Sequence, residues 1–159
     1  MLRMLRRAGA FVVAALTMVL LGSAASSYFV QRAWSGAAGA ASGMAPPAIP
    51  LSDRIAWAAH DLVGMFVPYC PLIAIALLVA FLIAGALAHF TGFRMVIFAL
   101  AGALALFTLF TTVKAVLGTV GIFGARGMAA LVVQMAAGAV AGIVFARLTN
   151  FARAGIGTA

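Results

Sequence analysis

The chain contains no glutamate. Its only side-chain carboxylates are Asp53 and Asp61, set against ten lysines and arginines, and charged residues of either sign make up 8% of the 159 positions. Catalysis by paired carboxylates draws on a residue type that is nearly missing. Cysteine occurs once, at Cys70, which excludes an intramolecular disulfide and any multi-cysteine metal or redox centre. The two histidines, His60 and His89, do not form a pair on neighbouring spans that could hold a haem. His60, Met65 and Cys70 carry the soft donors that copper favours, but their spacing of five and five does not repeat on one helix face. The nucleophile-elbow, phosphate-loop and metalloprotease motifs are also absent. These absences lead us to expect a non-enzymatic protein with neither metal nor cofactor.

What the chain has in excess is apolar sequence. Hydrophobic residues make up 67% of it, where a soluble domain carries about 45–50%. A water-soluble fold of this size could not hide so much apolar surface. Several runs reach the roughly 20 residues that a helix needs to cross a hydrocarbon core of about 30 Å. The net charge of +8 does not point to nucleic acid, because the cations punctuate the apolar runs instead of clustering with aromatics.

The cations act as a ruler. Arg94 to Lys114 is 20 residues and Arg126 to Arg147 is 21, or about 30 Å and 32 Å as helix, which matches a bilayer core. Pro68 to His89 is a third such length, with Pro68 and Pro71 suited to a first helical turn. We expect an all-α membrane protein: a bundle of four transmembrane helices over residues 8–30, 67–89, 95–114 and 127–146. Residues 31–52, rich in Gly, Ala, Ser and Pro, read as a flexible external loop. Residues 53–66 read as a short amphipathic helix at the outer surface, with Ser52 as its N-cap. On it Ile55, Ala59, Leu62 and Phe66 share one side, and Asp53, Trp57, His60, Asp61 and Gly64 fall on the other. The glycine-rich stretch at residues 118–127 reads as a tight outer turn.

The first run admits two readings. "MLRMLRR", a short apolar segment and "SAAS" together resemble a cleavable signal peptide, with cleavage after Ala25, while "SYFV" extends the run far enough to span. With that helix retained, Arg3, Arg6, Arg7, Arg94, Arg147 and Arg153 share one side and Arg32, Arg54, Lys114 and Arg126 the other. Six against four places both termini in the cytoplasm of a bacterial-type inner membrane.

Two constellations stand out. His60, Asp61, Lys114 and Arg126 map to the outer membrane edge, where an acid needs a cationic partner; they form either a structural ion pair or a polar vestibule. Ala130, Gln134, Gly138 and Gly142 recur every four residues, and Ala76, Ala80, Ala84 and Ala88 do the same. Small-residue stripes let membrane helices approach closely, and an amide such as Gln134 seeks a partner across the contact. The expected function is an accessory or structural subunit embedded in the lipid bilayer, packing against itself or a larger membrane complex. The alternative is a small transporter or channel component that uses the outer polar cluster.

Overall fold

A computed structural model describes residues 2–45, 48–118 and 127–154. Leu2–Ser42 forms α1, Leu51–Thr91 α2, Arg94–Leu117 α3 and Met128–Ala154 α4. Among the described residues all regular secondary structure is helical, and each of the four helices is long and apolar enough to cross a membrane. Helix is the form that such segments demand, because it satisfies every backbone N–H and C=O within the segment. The helices pack as a ring in which each contacts the two beside it: α1 with α2 and α4, α3 with α2 and α4. Gly92, at φ 75°, ends α2 in the left-handed region open to glycine, and Arg94 N donates to Gly92 O at 2.9 Å as α3 begins.

The two longest helices depart from expectation. Residues 31–52 are not a loop throughout, since α1 continues to Ser42, and residues 53–66 are not a separate helix, since α2 runs unbroken from Leu51 to Thr91. At 41 residues each, α1 and α2 measure about 62 Å, against about 36 Å for the 24 residues of α3. They therefore overhang α3 and α4 as a helical hairpin. Alanine in "WSGAAGAAS" keeps helix propensity high despite the glycines. Pairing between the arms adds the rest: Gln31 Nε2 donates to Arg54 O at 3.1 Å, and the Trp34 and Trp57 rings meet edge to face at 5.5 Å.

The prolines and the cap also differ. Pro68 and Pro71 lie inside α2 instead of opening it. Each removes one i→i−4 donor, a loss that apolar helices tolerate when neighbours compensate. Ser52 is not the N-cap: that position is Pro50, and Ser52 Oγ donates to Asp53 Oδ1 at 3.2 Å. In the first part of α2 neither expected side is buried as a whole, since Leu62 packs against the core while Asp53 and His60 are exposed. Its half-buried Trp57 and Asp61 face α1, while Ile55, Val63 and Phe66 are exposed.

The core sits between all four helices, with Ala14 and Met18 from α1, Leu77 and Phe81 from α2, Phe98 and Leu106 from α3, and Ala141 from α4. The tightest contact joins α3 to α4. A Cβ on Gly102 would collide with Gly138 O, one on Gly138 with Gly102 O, and one on Gly142 with Phe98 O. Glycine at these three positions lets the two backbones touch.

Candidate functional site

The bundle interior differs from end to end. At the end where α3 begins, each helix contributes one phenylalanine. Phe81 stacks on Phe145 at 4.8 Å between centroids, meets Phe98 at 5.6 Å and meets Phe11 at 6.3 Å, and Phe98 lies 5.2 Å from Phe145. The edge-to-face and offset arrangements suit the aromatic quadrupole. Above this layer Arg94 places its guanidinium carbon 5.0 Å from the Phe98 centroid and donates through Nη2 to Thr149 Oγ1 at 2.6 Å. Thr149 in turn donates to Phe145 O at 2.6 Å, so cation, hydroxyl and ring are held as one unit.

Toward the hairpin end the interior becomes polar. Ser23, Ser26, Ser27 and Gln134 are all buried. Gln134 Nε2 donates to Gly22 O at 2.9 Å, which ties α4 to α1. A Cβ on Gly22 would lie 2.8 Å from Gln134 Oε1, so the amide fits because residue 22 is glycine. Gly22 O is also the i−4 carbonyl to which a serine at position 26 would ordinarily bond back. The buried Ser26 Oγ makes no hydrogen bond to that carbonyl or to any other group among the described residues. A cavity of about 20 Å³ lies among Gly22, Ser23, Tyr69, Cys70 and Gln134, which is space for about one water. One turn beyond, Ser27 Oγ donates to Asp61 Oδ2 at 2.8 Å.

The expected polar cluster is only partly brought together. Asp61 is half-buried against α1 with the Ser27 hydroxyl, His60 and Lys114 are exposed, and Arg126 lies outside the described residues, as does most of the 118–127 turn. The packing stripe is placed in full. Ala130 is 4% exposed and Gln134 2%, Gly138 and Gly142 of α4 pack against the α3 backbone, and the Gln134 amide reaches α1. Ala84 is buried, with Ala76, Ala80 and Ala88 partly buried beside the core. Sequence reasoning missed Gly22, the three serines and the phenylalanine layer. "GSAASS" carried the first signal, but its small residues fit a cleavage site equally well. Phe11 and Phe98, each four residues after an arginine, carried the second.

Outside the core, α2 and α3 leave an open apolar groove of about 830 Å³. Ala76, Ala80 and Ala84 line one wall and Ala101 and Ala105 the other, with Thr108 and Thr112 toward one end. Among the described residues no three His, Cys, Asp or Glu side chains converge.

No protein-family model matches the chain, nor does any curated protein or solved structure. Its four helices have the length and apolar composition of membrane-spanning helices, which suggests a multi-pass membrane protein.

Proposed function

We propose that the chain is a non-enzymatic multi-pass protein of the bacterial inner membrane that serves as an accessory or structural subunit, taking a partner within the bilayer on its α2–α3 face. The groove between those helices carries this reading. The apolar window of α2 is 22% buried by its own chain, less than the 28%, 33% and 39% of the other three spans. The helix least covered by this molecule thus forms one wall of the groove, and alanines occur on both walls among leucines, isoleucines and a valine. The alanines give points at which another helix can approach closely between the larger aliphatic side chains, and association in lipid depends on such packing. The partner is a membrane helix of a larger complex or of a second copy.

The interior supports the same reading. A transporter needs a polar route through the full thickness, and here four packed phenyl rings cross the interior at one end. A small transporter or channel component remains the second reading because of the serines and Asp61 at the other end, which would line the outer half of such a route. The arginine bias sets both termini in the cytoplasm and the α1–α2 hairpin outside. Filling the groove tests the proposal. An Ala80→Leu, Ala101→Leu variant should purify in mild detergent without the assembly that the wild-type chain retains, while unfolding at a similar temperature. An assembly retained in the variant would overturn the docking face.

A further inference from the structure

The overhanging hairpin holds a second concavity, separate from the bundle interior and from the α2–α3 groove. It measures about 270 Å³ and is lined by Tyr28, Gln31, Arg32, Ser35, Ile49 and Arg54. That volume lies just under the roughly 300 Å³ at which pockets for drug-sized ligands begin, so it suits a small polar group. Its lining includes two guanidinium residues and no carboxylate.

The local structure organises these donors. Gln31 Nε2 binds Arg54 O at 3.1 Å, fixing the level at which the two arms bring Arg32 and Arg54 to one cavity. Arg32 Nη1 donates to the Tyr28 hydroxyl at 3.3 Å, one turn back on the same helix. Because that hydroxyl accepts from Arg32, its own proton is free to donate. Ser35 Oγ donates to Arg32 O at 3.1 Å, leaving its lone pairs as a minor acceptor. Asp53, next to Arg54 in sequence, does not line the cavity, and its Oδ1 takes the Ser52 hydroxyl. Two cations facing one concavity repel when it is empty, and a shared anion relieves them. A guanidinium offers five N–H donors in a planar fork that fits phosphate oxygens two at a time. Arginines from two helices lining one cavity with a phenol donor suit a tetrahedral phosphate better than one flat carboxylate.

The aromatic pair Trp34 and Trp57 lies close by on the same two arms. On the membrane-spanning reading, on which this inference rests for the source of its ligand, tryptophan and tyrosine mark headgroup depth. We infer that the Arg32–Arg54 pocket binds a phosphate group, either the headgroup phosphate of an anionic phospholipid or a free phosphate.

The test uses the full chain in mild detergent and two probes: dioctanoyl-phosphatidylglycerol, followed by native mass spectrometry, and inorganic phosphate, followed by calorimetry. One saturable site is expected for at least one probe, with affinity at least tenfold weaker in Arg32→Gln, Arg54→Gln and unchanged in Arg6→Gln, Arg7→Gln, which removes equal charge from the other end. Ser35→Trp, which fills the cavity and keeps both arginines, is expected to weaken binding similarly. Binding of the lipid alone identifies a headgroup site, and binding of phosphate identifies a free-anion site whether or not the chain spans a membrane. Saturable binding of neither probe, equal weakening in both arginine pairs, or full affinity in Ser35→Trp would overturn the assignment.

Discussion

Gln134 and Gly22, 112 residues apart in sequence, are joined at a buried point by a 2.9 Å hydrogen bond from the amide Nε2 to the carbonyl. The contact needs both residues, since the amide supplies the donor and the absent side chain supplies the space. Interhelical hydrogen bonds in membranes contribute about 0.6 kcal/mol on average and up to about 1.7. Gln134→Leu should therefore lower stability only modestly. Gly22→Ala should also lower stability modestly, because its methyl group meets only the ends of flexible side chains, Gln134 Oε1 at 2.8 Å and Met18 Cε at 3.2 Å, and displaces the amide from its hydrogen bond. Combining Gly22→Ala with Gln134→Ala should recover part of that loss. Thermal unfolding of these variants and of Gln134→Ala alone checks this, and strict additivity of Gly22→Ala and Gln134→Ala would show that the two positions do not meet.

The Gly138–Gly142 face should tolerate nothing larger than glycine. A side chain at either position collides with the α3 backbone, which cannot retreat as a flexible side chain can. Overpacking costs about 1–3 kcal/mol even where side chains yield, so Gly138→Leu should exceed that range. Leu at the half-buried Ala139, about 100° round the helix, should be better tolerated. Because Gly102 of the same chain fills this contact, the expected loss is in stability of the single chain. Loss of an oligomer with an intact monomer would contradict the placement.

Asp61 should depend on Ser27 more than on Lys114. Its Oδ2 accepts the Ser27 hydroxyl at 2.8 Å, while Lys114 is exposed on α3. A double-mutant cycle of Ser27→Ala with Asp61→Ala should give coupling on the order of 1 kcal/mol, the usual net contribution of a hydrogen bond. The charge exchange Asp61→Lys with Lys114→Asp should restore nothing relative to the single changes. Full rescue by that exchange would favour an ion pair between them.

The phenylalanine layer should govern stability. Phe81 touches Phe11, Phe98 and Phe145, so Phe81→Ala removes one ring from three contacts at once. A loss of about 3–5 kcal/mol is expected from such a truncation. Phe90, which is 85% exposed, should show almost none when changed in the same way. Equal effects at the two positions would contradict the sealed interior.

The residues explain why the fold was legible and the polar interior was not. The number of long helices follows from apolar runs bounded by charge, and α3 begins at Arg94 and runs three residues past Lys114. The Gln134 stripe was visible because glutamine among glycines has no lipid-facing rationale. The hairpin was not visible, because "WSGAAGAAS" has loop composition and its helix rests on contacts such as Trp34 with Trp57 that only the antiparallel arms create. Gly22 and Ser26 were hidden for a related reason. Small residues mean close packing only once the opposing helix is known, and the same letters serve a cleavage site.

The claim that the α2–α3 face docks a membrane partner is tested most directly by cysteine crosslinking in native membranes, with Cys70→Ser as background. Ala80→Cys lines the groove, whereas Val140→Cys lies on α4 and is 42% exposed. A discrete protein adduct at position 80, to another protein or to a second copy, with none at position 140, is the predicted result. Monomer alone from both positions, or the same adduct from both, would contradict it.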